Sequence, residues 1–273
     1  MLMPTTQDHF TGWCRHALRC IMPVECVACG IALTTDPVPF FCRSCWAGIV
    51  PLQGPSCASC DQPFASPAAT SFSPEHRCQN CLERAPHYQR AWTLYPYLPP
   101  LQDAICSFKY RGKIGLAKPL ARLMIHALPP TIDADVYMPV PLHRTRLQAR
   151  EFNQSLLLAD QVARHMDRPV SASDLVRVLP TDPQTTLSRP ERLRNLRQAF
   201  AVTKPDRVAG RRILLIDDVY TTGTTLNECA KVLLHAGAKS VCALTLARTV
   251  DAGLIPDRLF AERSARSLCV LGM

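Results

Sequence analysis

The chain has 273 residues, 47% hydrophobic and 19% charged, with 31 Lys and Arg against 22 Asp and Glu and a formal net charge of +9. This mixture excludes a disordered polar chain and leaves room for a large domain with a smaller satellite. Residues 1–90 carry six charges of each sign, so the whole excess, 25 against 16, lies in residues 91–273, which excludes a basic N-terminal arm.

Residues 1–12 are polar, and the apolar run from Phe10 to Met22 is interrupted by Arg15, His16 and Arg19. It is too short and too broken for a secretory segment or a membrane span, so an N-terminal helix in a soluble, cytoplasmic protein is expected.

Of the 14 cysteines, eight form four CxxC pairs: Cys26/Cys29, Cys42/Cys45, Cys57/Cys60 and Cys78/Cys81. Gaps of 12 residues between the first two pairs and 17 between the last two suit zinc ribbons. In a ribbon, two tight knuckles present four thiolates to one tetrahedral ion. Sequential pairing of the knuckles is expected, although interleaving first with third and second with fourth would use the same ligands. Closed four-thiolate sites are structural and leave no open position for chemistry. Each also adds two negative charges beyond the metal, making this third of the chain net acidic and a poor nucleic-acid clamp. Gly30, directly after Cys29, fits a knuckle that needs positive φ. His76, two residues before Cys78, reads as a bystander. Cys14, Cys20, Cys106, Cys229, Cys242 and Cys269 lie among hydrophobic residues and read as buried structural thiols.

Near residue 91 the CxxC pairs stop and strand and helix patterns begin to alternate, placing a boundary between 85 and 92. Residues 1–90 are thus expected to hold the N-terminal helix and double zinc ribbon, and residues 91–273 an α/β domain. In "LQDAICSFKYRGK" one helical face carries Leu101, Ala104, Ile105 and Phe108, and in "LARLMIHAL" another carries Leu120, Leu123, Met124 and Ala127. "DVYMPVPL", 135–142, predicts a strand, "HRTRLQAREFN" a basic loop, "QSLLLADQVARHM" a helix and "DLVRVL" a further strand. Residues 180–198, with three prolines and four arginines, predict a long loop of the kind that forms lids or linkers.

The stretch "RRILLIDDVYTTGTTLNE", 211–228, carries the chemistry. Ile213 to Ile216 predict a strand covered on both faces, and two carboxylates at its exit are costly unless something binds them. Gly223 and the surrounding threonines lie between this strand and a helix around Leu226 to His235, where free N–H groups and the helix dipole attract a phosphate. Asp217 and Asp218 would repel that phosphate; they suit sugar hydroxyls or a hydrated Mg2+. A ribose held by its hydroxyls and its 5′-phosphate is the coherent reading. The absence of GxxxxGK[ST] disfavours a Walker site. A response-regulator receiver also places acids after an apolar strand, but near the start of its domain, whereas 55 residues follow Asp218 here. After the turn "HAGAKS", a strand "VCALTLA" completes an alternation that argues for a parallel sheet with ligands at the strands' carboxyl ends.

"ILLIDDVYTTGTT" resembles the phosphoribosyl pyrophosphate (PRPP) signature of type I phosphoribosyltransferases. Together with the paired CxxC knuckles, "FKYRGK" at 108–113, "PVPLHRTRLQAREFNQ" at 139–154 and "QTTLSRPERLRNLRQAF" at 184–200, it makes the chain similar to the ComF family over nearly its full length. The resemblance implies a type I phosphoribosyltransferase-like parallel sheet flanked by helices, with a small N-terminal double zinc-ribbon domain. It implies that Asp217 and Asp218 contact ribose hydroxyls and that Thr221, Thr222, Gly223, Thr224 and Thr225 cradle the 5′-phosphate. Arg144, Arg146 and Arg150 would lie over the pyrophosphate, and a loop with Arg189, Arg192 and Arg194 would close as a lid. Catalysis would rest on Asp217, Asp218, Arg144, Arg150 and Arg189, with Mg2+ bound alongside PRPP and two structural Zn2+ on the eight paired cysteines. The reaction implied is transfer of a 5-phosphoribosyl group to a nitrogen acceptor that the sequence does not specify; Lys109 and Arg111 are candidates for lining its pocket. The family shows Gly-Phe-Asn-Gln in the pyrophosphate region, whereas here Glu151 precedes Phe152, Asn153 and Gln154. A lost glycine restricts the backbone and an added carboxylate opposes pyrophosphate, which puts catalytic competence rather than fold in question. The family is associated with DNA uptake, so the alternative is a non-catalytic protein binding single-stranded DNA or DNA-uptake proteins on the same arginines. A homo-oligomer is left open.

Overall fold

The computed structural model describes residues 24–70, 73–179 and 199–250. The expected N-terminal helix, Cys14, Cys20, Cys269 and the segment holding Arg189, Arg192 and Arg194 lie outside the described residues. In chain order the main elements are α1 (Arg43–Ala47), α2 (Gln79–Glu83), β1 (Ala91–Pro96), α3 (Leu101–Tyr110), α4 (Ala117–His126), β2 (Val136–Pro139), α5 (Arg144–Arg150) and α6 (Gln154–His165). They continue with β3 (Leu175–Arg177), β4 (Phe200–Val202), α7 (Pro205–Val208), β5 (Arg212–Tyr220), α8 (Thr224–His235) and β6 (Ser240–Arg248).

Four strands form a parallel sheet in the order β1-β6-β5-β2, and β3 and β4 form a separate antiparallel pair. A parallel sheet needs both faces covered, and the apolar alternation of β5 shows how. Leu214 and Ile216 pack with α3, α4 and α6 through Ile105, Phe108, Leu120, Met124 and Leu158. Ile213 and Leu215 pack on the other face with Phe200, Leu226, Cys229 and Leu233, that is, with β4 and α8.

Both sheet edges are closed. On β1, Leu52 N–H donates to Leu94 O (2.9 Å), Ala91 N–H to Ser59 O (2.8 Å) and Thr93 N–H to Asp61 Oδ2 (2.8 Å), so the cysteine-rich region occupies the pairing groups of that edge. On β2, Tyr137 bonds through its N–H to Pro169 O (3.0 Å) and through its carbonyl to Ser171 N–H (2.9 Å). The cysteine region straddles β1: Cys26, Val38, Phe41 and Cys45 join the core of one sheet face, and Cys57, Cys60 and Cys81 that of the other.

Two elements differ from their sequence reading. β5 does not end at Ile216 but runs through Asp217 and Asp218 to Tyr220, pairing with β6 as far as Tyr220 with Arg248. Its partner β2 stops at Ile216, so the last four residues are hydrogen-bonded on one side only, and there the apolar run gives way. The expected basic loop 143–153 holds helix α5, whose N–H at Thr145 is capped by His143 Nδ1 at 3.3 Å. No residue of α5 is buried, so it carries no apolar stripe for periodicity to detect. Among the scattered cysteines, Cys229 is a fully buried free thiol and Cys242 a partly buried one; Cys106 is buried but disulfide-bonded, which corrects its reading as a thiol.

Helix α5 ends on Glu151 in the left-handed region, φ 65°. The backbone therefore keeps the conformation that a glycine adopts freely, at a cost of about 1–2 kcal/mol for a residue with a Cβ. Glu151→Gly is expected to raise stability by about 1 kcal/mol in chemical denaturation; a lower midpoint than wild type would show that the Glu151 side chain repays the strain locally.

Candidate functional site

Strands β2 and β5 are parallel neighbours, so the segments following their carboxyl ends, 140–150 and 221–225, lie on the same side of the sheet, where ligands of open α/β sheets bind. Thr221 and Thr222 are exposed, and Gly223, at φ 73°, forms the N-cap of the 12-residue helix α8 with no side chain capping its first N–H groups. Those amides and the positive end of the dipole face the turn, an arrangement that favours an anion. Thr222 and Thr224 share a hydroxyl–hydroxyl hydrogen bond of 2.8 Å across the turn. A Cβ on Gly223 would lie 2.2 Å from the Tyr220 hydroxyl, so the position excludes other residues by contact as well as by dihedral angle.

The two acids that follow one another in sequence have different surroundings. Asp218 is buried, with Oδ1 paired to Lys109 Nζ at 2.8 Å and Oδ2 buried without a hydrogen-bond partner. Burial opposes the Lys109 charge, but Asp218 and Asp217 outweigh it and hold the ammonium above its ordinary pKa. Asp217 is partly exposed; its Oδ1 accepts from Ser155 Oγ at 2.8 Å and from Asp218 N–H at 2.9 Å. Desolvation, with the Asp218 charge added, pushes the Asp217 carboxyl up to about 7.

The arginines divide as well. Arg146 and Arg150 lie four apart on α5 and are both partly buried, and the Arg150 guanidinium sits 4.8 Å over the Tyr110 ring, next to Lys109. Arg144 is exposed. Arg177 stacks on Phe200 at 5.4 Å; burial lowers its pKa, with Arg146 adding to the effect and Asp217 opposing it. The structure thus gathers Asp217, Asp218, Lys109, the 221–225 turn and the Arg146/Arg150 face; Arg111 is exposed, and Arg189 lies outside the described residues. Sequence reasoning missed Ser155 and Arg177. Ser155 had a local signal, a hydroxyl in the first turn of α6 two residues after Asn153, whose Oδ1 accepts from Ser155 N–H at 3.0 Å. Arg177 had none, because a single cation in a three-residue strand looks like surface.

The eight paired cysteines form two groups, Cys26/Cys29/Cys42/Cys45 and Cys57/Cys60/Cys78/Cys81, each with its sulfurs within 4.8 Å of one another. The knuckles therefore pair sequentially. Sulfur–sulfur distances of 3.7 Å for Cys29 with Cys42 and 3.6 Å for Cys60 with Cys78 are close to the ~3.8 Å edge of a tetrahedron with ~2.3 Å metal–sulfur bonds. Without a cation the thiols cannot all ionise: a hydrogen bond from Cys60 pulls Cys57 down to about 4, while Cys60 is itself pushed up. Both groups fit a four-thiolate Zn2+ site. Gly30 has the positive φ, 75°, that the first knuckle was expected to need, and His76 packs on Phe64 at 5.2 Å outside the second group.

A family model described as the phosphoribosyl transferase domain matches residues 153–258. Competence protein F of Haemophilus influenzae is 35% identical over 179 residues, covering 63% of this chain and 78% of that protein. DNA utilization protein YhgH of Escherichia coli K12 is 36% identical over 190 residues, 67% of this chain and 82% of that protein. Competence protein ComFC of Bacillus subtilis is 30% identical over 217 residues, 76% of this chain and 84% of that protein.

Metal analysis of the purified chain is expected to give about two zinc ions, with Cys45→Ser and Cys81→Ser each losing about one. A single ion in wild type, or the loss of both from either substitution, would contradict two separate sites. Gly223→Ala, forced against Tyr220, is expected to destabilise the chain by about 2 kcal/mol in urea; an unchanged midpoint would mean that Tyr220 moves aside freely.

Proposed function

The chain belongs to the family of competence protein F, ComFC and YhgH, proteins with a phosphoribosyl transferase domain, and from that premise we propose that it binds PRPP with Mg2+ and transfers the 5-phosphoribosyl group to a nitrogen acceptor. The observation that carries this reading is the carboxyl end of β5. A partly exposed carboxylate at Asp217 is followed within six residues by a turn whose Gly223 conformation and side-chain-uncapped helix N-terminus suit a phosphate monoester.

In this reading the 221–225 turn and the first amides of α8 hold the 5′-phosphate, and Asp217 accepts hydrogen bonds from the ribose hydroxyls. Asp218, whose Oδ2 has no partner, joins Asp217 in holding Mg2+. Held there, Mg2+ would supply charge stabilisation for the departing pyrophosphate. Arg146 and Arg150, with Arg144 at the start of the same helix, meet the pyrophosphate from α5. The bond from the anomeric carbon to pyrophosphate oxygen breaks and a bond from that carbon to the acceptor nitrogen forms, so no side chain serves as covalent nucleophile. Positioning and fixed charge supply the acceleration. The two zinc ribbons are structural. The relatives' names concern competence and DNA utilization, and the same role in handling incoming DNA is the setting proposed for this chain.

Calorimetric titration with PRPP and Mg2+ tests the reading. Wild type is expected to bind, and Asp217→Asn to bind at least about tenfold more weakly; heat-silent wild type would remove the proposal. The pH dependence follows from Asp217. An ordinary carboxyl ionises near ~4, but this one holds its proton to about 7, so only above that pH is it an anion that binds a cation and accepts strongly from hydroxyls. Affinity is expected to fall about tenfold from about pH 8 to about pH 6, and this fall should vanish in Asp217→Asn.

A further inference from the structure

The second cysteine group and the phosphate-binding turn share one buried cluster. Cys57, Cys60 and Cys81 pack there with Tyr88, Tyr220, Leu226 and Cys229. Within it a continuous set of polar contacts joins the two. Arg248, at the carboxyl end of β6, is 2% exposed and donates through NH1 to the carbonyl oxygen of Cys60 at 2.7 Å and through NH2 to Gln62 Oε1. Its guanidinium lies 4.9 Å over the Tyr220 ring. The Tyr220 hydroxyl meets the Tyr88 hydroxyl at 2.8 Å, both buried, and occupies the space that a Cβ on Gly223 would need. Beyond them, His87 N–H donates to Asn227 Oδ1 of α8 at 2.8 Å, and Thr249 N–H to Tyr220 O at 3.0 Å.

We propose that Tyr220 is a positioning residue for the phosphate-binding turn, and that Arg248 and Tyr88 make the shape of that turn depend on metal closing the second cysteine group. This rests on the phosphate-binding reading of the turn. The physical case is one of constraint. Gly223 is held in the left-handed region with the Tyr220 hydroxyl against it, so the turn keeps its form only while the ring stays in place. The ring is held from behind by a cation whose other contacts are the backbone of Cys60 and the side chain of Gln62, both in the second ribbon. Four thiolates drawn onto one ion would fix that backbone; four loose thiols would not. Among the described residues the first group has no such route, because Cys26 and Cys45 pack with Phe41, Leu101 and Phe108 on the opposite face of the sheet. The two ribbons, alike in ligand set, thereby have different consequences for the site.

Amide hydrogen exchange of residues 220–227 in the full chain tests this, read beside zinc content and calorimetric binding of ribose 5-phosphate. Cys81→Ser, emptying the second group, is expected to accelerate exchange in 220–227 and weaken ribose 5-phosphate about fivefold or more, while Cys42→Ser leaves both unchanged. Tyr88→Phe, with all eight thiols and both ions intact, is expected to accelerate the same segment without changing β6 exchange or zinc content. Unchanged exchange in Cys81→Ser, or equal acceleration in Cys42→Ser, would overturn the proposal; if Cys81→Ser does not fold, unchanged exchange in Tyr88→Phe overturns it. Exchange reports the coupling whether or not ribose 5-phosphate binds, so a wild type that binds no phosphate ligand counts against the proposed function and leaves the coupling decided on its own readout.

Discussion

The pairing of β5 with β2 on one side and β6 on the other, and the point at which the first of these stops, governs the rest of the structure. While both neighbours are present, β5 is buried on two faces and carries Ile213, Leu214, Leu215 and Ile216, all 0–1% exposed. Once β2 leaves at Ile216, the strand continues against β6 alone and its residues become acidic. A strand end held rigidly on one side and opened on the other is a place where carboxylates can be fixed in direction yet meet a ligand. The helix that follows then delivers its amino end within a few residues of those carboxylates. Opposite electrostatic preferences, acids for hydroxyls or cations and amides for an anion, are thereby set side by side by connectivity.

The alternation of a strand also separates the neighbouring acids. Asp218 continues the face of Leu214 and Ile216 and meets Lys109 from α3, where a buried ion pair is tolerated only because both partners are present. Asp217 continues the other face, partly exposed at its edge, and its carboxyl holds a proton more strongly than an ordinary aspartate chiefly because it is desolvated, with the neighbouring Asp218 adding to the effect. Adjacency in sequence thus gives two carboxylates with unlike surroundings, Asp218 buried and paired with Lys109 and Asp217 partly exposed beside Ser155.

The cysteine region contributes to the sheet as well as to itself. It occupies the pairing groups of β1, which would otherwise be an exposed edge, and anchors a four-cysteine group on each side through its buried members, Cys26 and Cys45 on one face and Cys57, Cys60 and Cys81 on the other. A segment this short has little core of its own; burial against the sheet supplies part of what it lacks, and each four-cysteine group has the geometry for a metal to supply more. The Arg248, Tyr220 and Tyr88 contacts are the point at which that support reaches the turn after β5.

The sequence by itself determined the elements whose signals are local. CxxC pairs announce knuckles because two thiolates on one tight turn need that spacing, and the apolar stripes of α3, α4, α6 and α8 announce helices that cover the sheet. The run of acids, threonines and Gly223 announced a tight strand-to-helix turn because dihedral freedom and a helix start coincide within a few residues. What only the tertiary structure decided was whatever depends on partners distant in the chain. That β5 extends through the acids depends on β6; that Asp218 is paired depends on Lys109; that α5 is a helix could not be read from an apolar face it does not have. Glu151, which in sequence read as a lost glycine, holds the left-handed conformation regardless, because the helix end before it fixes the backbone more strongly than its side chain resists. And no spacing relates Cys60 to Arg248, 188 residues apart, or Tyr88 to Tyr220, 132 apart, because burial joins them and periodicity carries no record of it.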